Sequence, residues 1–333
     1  MSDVSVTPVP DAGVMAVDVM GGDGPADARL EACRKFLRQQ PQARIRAFVT
    51  RDFYQHVTAL KTVENTRLTL IACDNAVAMD EPPSRALRHG RESTLACAIA
   101  DLGKHSQVCL SAGNTGALVA FARYFLTALP GIQKPALGAF LPTPSGRTLL
   151  LDAGASVSAD SEQLLQFGMM GSALMRALGT AGKPAVSLLN IGREAIKGHD
   201  TIWQANQLLQ SSRLNYQGYC EGTDLFTGHH AVIVSEGFAG NVALKSSEGM
   251  ARYMLESGCW QTRIPVLRRF LQHSSRLHPA RHNGAILLGF EKPVVKSHGA
   301  CDINSYISAL SSAWRLACGR VMADFKTHLE NLI

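Results

Sequence analysis

Cys109-Leu110-Ser111-Ala112-Gly113-Asn114-Thr115-Gly116-Ala117-Leu118 is a buried strand that breaks into a loop of small residues and reopens as a helix. The apolar run Val108 to Ser111 predicts the strand, and the helix is expected from about Gly116 to Leu126. Gly113 and Gly116 let the backbone turn tightly and approach a ligand closely. Ser111, Asn114 and Thr115 add polar side chains, and the helix presents free N–H groups at its positive end, where an anion such as phosphate is stabilised. An ordinary turn capped by Asn or Thr is the other reading of the same residues. The loop matches neither GxGxxG nor GxxxxGK[ST], so it does not by itself argue for a dinucleotide or ATP.

Working outward, short apolar runs rich in β-formers alternate with longer helical stretches. They are Val14 to Val19, Arg44 to Thr50, Leu68 to Ala72, Val108 to Ser111, Thr148 to Asp152, Ala185 to Ile191 and Ala231 to Ser235. That alternation predicts an α/β fold, a mostly parallel sheet with helices on both faces. Several runs end in polar or glycine-bearing segments: Asp18 to Asp23, Ser111 to Gly116, Asp152 to Ser156, Asn190 to Gly192 and Glu236 to Asn241. Ligands of such sheets bind beyond the carboxyl ends of the strands, so these five ends are expected to converge on one cleft. No internal repeat or low-complexity tract interrupts the pattern, which predicts a single catalytic domain over residues 13–333 after a flexible extension at 1–12.

Composition narrows the function classes. Eight cysteines contain no CxxC pair and sit mostly inside apolar runs, as reduced structural thiols of a cytosolic protein do, so neither zinc nor a disulfide framework is implied. Residues 1–12 carry Asp3 and Asp11 but no basic residue and no apolar block, unlike a signal or transit peptide. No apolar run reaches the ~18 residues of a membrane-spanning helix. A net charge of +6 favours acidic partners, while aromatic-interleaved basic patches and recognised nucleic-acid motifs are absent, which argues against nucleic acid. One stretch stands apart: Ser257 to Phe290 holds no Asp or Glu but five arginines, Arg263, Arg268, Arg269, Arg276 and Arg281. Within a helical insertion expected at about 257–282, Val266, Leu267, Phe270 and Leu271 share one face opposite Arg268 and Arg269. Such a basic amphipathic helix can rest on anionic lipid or meet an acidic protein; the plainer reading packs it on its own domain or on a sister subunit.

Eight separated segments, in order, resemble one family, the phosphate acyltransferases known as PlsX. They are Ala16 to Asp23, Met79 to Arg88, Ser111 to Leu118, Leu151 to Ala155, Gln166 to Ser172, Leu189 to Gly198, Glu236 to Glu248 and Val294 to Gly299. The resemblance implies the fold shared with isocitrate and isopropylmalate dehydrogenases. It also implies synthesis of acyl phosphate from long-chain acyl-acyl carrier protein and inorganic phosphate, feeding glycerophospholipid synthesis without a cofactor. The acid-free stretch Ser257 to Phe290 is expected to bring a homodimer to an anionic membrane surface, near a downstream membrane acyltransferase. The chain departs from the family pattern at Glu236-Gly237-Phe238, where Asp-Gly-Phe is usual, and at Gly154-Ala155-Ser156, where Gly-Ala-Asn is usual. Ser93-Thr94-Leu95 stands where the family shows Ser-Ser-Met.

Attack of phosphate on a thioester asks little of acid–base catalysis. The nucleophile is partly dianionic near neutrality, with a second pKa at about 6, and the leaving thiol has a pKa near ~8.5. Positioning and charge stabilisation therefore dominate. The Ser111–Gly116 loop (Ser111, Gly113, Asn114, Thr115, Gly116) would hold phosphate with a cation, first Lys197 and as alternates Lys245 and Lys296. An oxyanion would be met by N–H groups around Gly237 and Gly240, the Asn241 amide or the His298 imidazole. Glu236 completes that catalytic set, and Asp18, Gly21, Gly22, Asp23 and Asp152 would shape and orient it rather than bind a metal. Ser111 as a covalent nucleophile lacks a GxSxG elbow. Rival readings are an NAD-dependent decarboxylating dehydrogenase, which needs clustered Asp ligands not assembled here, a phosphate acetyltransferase using acyl-CoA, and a non-catalytic membrane scaffold.

Overall fold

Strand β1 (Val14–Asp18) sends Met15 and Val17 into one apolar layer and Ala16 into another, because successive strand side chains point to opposite faces. The same alternation recurs in β2 (Arg44–Thr50), β4 (Val108–Ser111), β6 (Gly146–Leu151) and β9 (Val232–Val234), so both faces of the sheet are covered. The computed structural model describes residues 13–59, 66–194, 196–256 and 283–333. The expected extension at 1–12, and the insertion at 257–282 with Val266, Leu267, Arg268, Arg269, Phe270 and Leu271, lie outside the described residues.

The remaining strands are β3 (Leu68–Cys73), β5 (Ala136–Thr143), β7 (Ala185–Leu189), β8 (Asn215–Cys220), β10 (Ala285–Leu288) and β11 (Val294–Lys296). All eleven form one sheet in the order β3-β2-β1-β4-β11-β10-β5-β6-β9-β7-β8. Helices α1 (Ala26–Gln39), α2 (Arg51–Ala59), α6 (Ser161–Ala177), α7 (Asp200–Ser211), α9 (Ile303–Cys318) and α10 (Val321–Glu330) supply residues to one buried layer. On the other face α3 (Pro83–His89), α4 (Thr94–Ala100) and α5 (Thr115–Phe125) pack over the first strands, and α8 (Gly237–Glu256) lies over β5, β6 and β10. The mostly parallel α/β expectation holds, with seven of the ten strand pairings parallel.

The three antiparallel pairings correct one expectation. Strands β3, β2, β1, β4 and β11 run one way. Strand β10 turns back on β11, β5 on β10, and β6 on β5, so β6, β9, β7 and β8 run the other way. The five polar strand ends therefore leave their strands in two opposed directions, Asp18 and Ser111 in one, and Asp152, Asn190 and Glu236 in the other. The register still sets the two groups close along the strand axis, because Leu150, just before Asp152, stands level with Asp18, Ser111 and Lys296.

Asn114 shows how locally the first edge is built. Its Oδ1 accepts the Ala117 N–H at 3.0 Å and caps α5, while Nδ2 donates to the carbonyls of Met79 at 2.9 Å and Glu81 at 2.8 Å. Asn114→Ala is expected to cost about 0.5–2 kcal/mol for the cap, and up to about 1–3 kcal/mol more where carbonyls lose their donor. Asn114→Asp keeps the cap acceptor but turns a carboxylate on those carbonyls. Urea unfolding should therefore rank it no better than the alanine variant; an aspartate variant as stable as wild type would reduce the residue to its cap.

Candidate functional site

At the first edge three loops lock together. The Ser111 hydroxyl, fully buried, donates to Asp18 Oδ2 at 2.7 Å and accepts the Gly113 N–H at 2.9 Å. Asp18 Oδ1 accepts the Gly21 N–H at 3.2 Å. A Cβ on Gly21 would lie 2.7 Å from the Gly113 backbone, so the two loops meet as bare main chain. Gly22 takes φ +116°, and Asp23 N–H donates to the Gly299 carbonyl at 2.9 Å, which ties in the loop after β11. The buried Arg29 of α1 fixes the turn from below, its Nε donating to the Val19 carbonyl at 2.6 Å.

Of the expected phosphate-binding set, Ser111 and Asn114 thus have their side chains engaged in building the loop. Gly116 leaves room for Pro83, whose Cγ would lie 2.6 Å from a Cβ there. What the loop offers outward is main chain: among the described residues no protein acceptor meets the N–H groups of Thr115 and Gly116, in the first turn of α5. Beside it stands Lys296, paired across the sheet with Ser111, whose Nζ donates to the Ala112 carbonyl at 3.1 Å and to the Ser297 carbonyl. Burial, and then repulsion from Lys245, bring the Lys296 ammonium down to about 8.

His298 follows two residues on. Its N–H donates to Asn283 Oδ1 at 3.0 Å, and the buried Asn283 amide also donates to Ser297 Oγ at 2.8 Å and the Ser305 carbonyl at 3.0 Å. The His298 ring Nε2 lies 3.1 Å from Glu248 Oε1, and Lys245 Nζ lies 2.9 Å from Glu248 Oε2. Burial works against the Glu248 carboxylate, but the hydrogen bonds from His298 and Lys245 hold it below the ordinary glutamate value. Asn241, Lys245 and Glu248 fall at i, i+4 and i+7, one stripe of α8 about 10 Å long at 1.5 Å per residue.

That stripe leads to the opposite edge. There Asp152, fully buried, accepts N–H groups of Leu137 at 2.9 Å, Gly154 at 3.0 Å, Ala155 at 2.9 Å and Ser156 at 2.9 Å, with the Ser156 hydroxyl at 2.8 Å. The serine that departs from the family pattern is thereby a working ligand of the carboxylate. Asn241 Nδ2 donates to the Ala153 carbonyl at 3.3 Å, and Gly240 leaves no room for a side chain against the Asp152 carbonyl. Glu236 Oε2 lies 3.2 Å from His199 Nε2. Lys197, two residues before His199, is exposed; its carbonyl accepts the Asn190 amide at 3.1 Å, and its ammonium has no polar partner among the described residues. The cation bonded to the Ser111 loop is Lys296, the alternate; Lys197, which follows β7, makes no such bond among the described residues.

Arg29, Asn283, Glu248 and His199 were not foreseen from sequence. Glu248 carried a readable signal, its i+3 spacing from Lys245, while the others act only through contacts between distant segments.

The family model described as fatty acid synthesis protein matches residues 14–324. A phosphate acyltransferase of Nitrosococcus oceani is 42% identical over 330 residues, covering 95% of this chain and 96% of that protein. A phosphate acyltransferase of Paraburkholderia phytofirmans is 40% identical over 314 residues, covering 90% and 84%. Among solved structures, a phosphotransacetylase from Streptococcus pyogenes superposes with a TM-score of 0.59 at 14% identity, covering 91% of this chain and 94% of that one, a likeness of fold alone. By the extent of these matches the chain belongs to the phosphate acyltransferase family, whose model carries the description fatty acid synthesis protein.

Proposed function

We propose that this acyltransferase makes acyl phosphate from an acyl-acyl carrier protein thioester and inorganic phosphate, the phosphate seated between the first turn of α5 and Lys296. The observation that carries the reading is the Lys296 ammonium, largely withdrawn from water and bonded to the Ala112 carbonyl of the loop that opens α5, whose Thr115 and Gly116 N–H groups no protein atom takes among the described residues. A phosphate oxygen attacks the thioester carbonyl carbon, the C–S bond breaks, and the carrier leaves as thiolate to take a proton. Lys296 and the Thr115 and Gly116 N–H groups hold the nucleophile and spread its charge. His298, oriented by Glu248 and Asn283, faces the same edge and supplies the hydrogen bond to the oxyanion or the proton to sulfur. Lys197, Glu236 and Asn241 have no part in holding phosphate in this scheme. Incubation with long-chain acyl-acyl carrier protein and phosphate, with acyl phosphate trapped by hydroxylamine, should yield product; no product from any thioester would overturn it.

The reading also assigns the exposed stripe of α8, with Phe238 at 68%, Val242 at 49% and Tyr253 at 63% exposure, to a second copy of this chain. The basic segment follows α8 in the sequence, and contact with an anionic membrane surface is assigned to it. No described helix is long and apolar enough to cross a membrane.

Lys296→Met is expected to lower kcat/KM for phosphate about a hundredfold, the ~2.7–4 kcal/mol cost of one preorganised electrostatic contact. The pH profile separates charge from shape. Lysine is charged below its pKa, so wild-type kcat/KM for phosphate should fall as pH rises through about 8, and Lys296→Met should lose that alkaline limb. An unchanged limb would transfer the titration to another group.

Val242→Glu combined with Tyr253→Glu should convert a sedimenting dimer to monomer. Dimers that persist in the double variant would place the subunit contact elsewhere.

A further inference from the structure

Alongside α3 a cavity of about 440 Å³ opens between that helix and the loop after β3, lined by Asn75, Val77, Glu81, Arg85 and His89 among others. Glu81, Arg85 and His89 succeed each other at four-residue spacing, so the cavity follows one side of α3 and of the turn before it. Its two ends are placed by contacts already described. At one end the Glu81 carbonyl is held by the Asn114 amide at the head of α5. At the other, Gly90 sits against Phe121, 3.5 Å from where a Cβ would be, well along α5. The cavity therefore leads toward the phosphate loop from the outer surface.

Arg88 and Arg91 lie exposed next in sequence to the cavity residues His89 and Gly90, and Arg123 lies exposed on α5 beside Tyr124 in sequence. Arg88 Nε and Arg91 Nε each donate to a carbonyl of α3 at 3.2 Å, and the Arg91 guanidinium sits 4.8 Å from the Tyr124 ring centroid. Among the described residues none of the three pairs with a carboxylate. Of the nearby acids, Glu81 binds Arg85 at 3.1 Å and Asp74 binds Arg51, Glu92 lies against Asp74, and Asp80 is exposed. The surplus charge at this end is positive and the guanidinium groups are held in place, which suits recognition of carboxylates on a protein surface.

We infer that α3 is the docking element for the acyl carrier protein, its pantetheine arm lying in the cavity and its acidic surface meeting Arg88, Arg91 and Arg123. This rests on the acyltransferase reading above and adds the place where the carrier binds. The chemistry of the lining selects the arm and not the acyl chain: pantetheine carries amides and a hydroxyl along a narrow chain. Asn75, Glu81, Arg85 and His89 offer donors and acceptors that a hydrocarbon would leave unpaired. The thioester then emerges near Asn114, beside the first turn of α5. The arginines commit the surface to a carrier protein over a free nucleotide thioester, because they extend beyond the cavity mouth across two helices.

The test compares long-chain acyl-acyl carrier protein with the matching acyl-pantetheine, which has the arm but no protein. The variant R88E/R91E/R123E should lose at least thirtyfold in kcat/KM for acyl-acyl carrier protein and its salt dependence, while acyl-pantetheine stays within twofold. Ala76→Trp, an exposed position at the cavity, should raise KM for both thioesters at least fivefold with an unchanged unfolding midpoint. A charge-reversed enzyme as active as wild type on the carrier substrate would overturn the docking surface. Unchanged KM values in the tryptophan variant would overturn the arm's path. A wild-type enzyme that acylates phosphate from acyl-pantetheine but neither binds nor uses the carrier would also overturn the inference and leave thioester chemistry standing. Inactivity toward both thioesters would instead remove the acyltransferase reading, and this inference with it.

Discussion

The hydrogen bond from Ser111 to Asp18 governs the first edge of the sheet. It closes the gap between the ends of two adjacent parallel strands, and it does so with a buried hydroxyl that also accepts the Gly113 N–H. A charge-assisted bond of this kind is stronger than a neutral one, and a buried carboxylate without it would be costly. With the strand ends fixed, the Gly21 and Gly113 main chains can touch, and only bare backbone fits there. The first turn of α5 is consequently aimed by main-chain packing and carries its N–H groups as a rigid set. Rigidity of that sort lets a site stabilise charge without reorganising during reaction.

Electrostatics at this edge sets three cationic groups against three carboxylates, Asp18 and Asp23 in the loop after β1 and Glu248 on α8. Two ammonium groups, Lys245 and Lys296, and one imidazole, His298, face the region, and Glu248 binds two of the three. Lys296 is left with carbonyl partners, which accept its protons without neutralising its charge. A phosphate would meet the least compensated cation first. Its binding would relieve the repulsion that Lys245 exerts on Lys296, so the ammonium becomes easier to keep as the site fills.

Much of the fold could be read directly. Strands Arg44–Thr50 and Val108–Ser111 begin and end where their apolar runs do, and the helix after Ser111 starts one residue earlier than expected. The unread strands had weak signals for physical reasons: β11 has three residues and β10 four, β8 is a polar edge strand with Gly218, and β5 contains Gly138 and Pro142. Missing β10 and β5 meant missing the reversal between the two halves of the sheet. Residue types at the site were legible, since Lys296, His298, Asp18 and Asp152 all hold structured positions. Which lysine meets the Ser111 loop was not, because that depends on strand direction and not on local spacing.

The reversal has a consequence for how such an enzyme can vary. At one rim of the sheet Asp152 holds the Leu137 N–H and the loop from Gly154 to Ser156, and Glu236 meets His199; none of these hydrogen bonds reaches Asp18, Ser111 or Lys296. Both Glu236 and Ser156, where this chain differs from its family's habit, stand on that rim. Opposed strand ends give each rim its own mutational freedom: one can drift, its serine or glutamate substituting locally, while the other keeps the Ser111–Asp18 bond and the packing of Gly21 on Gly113.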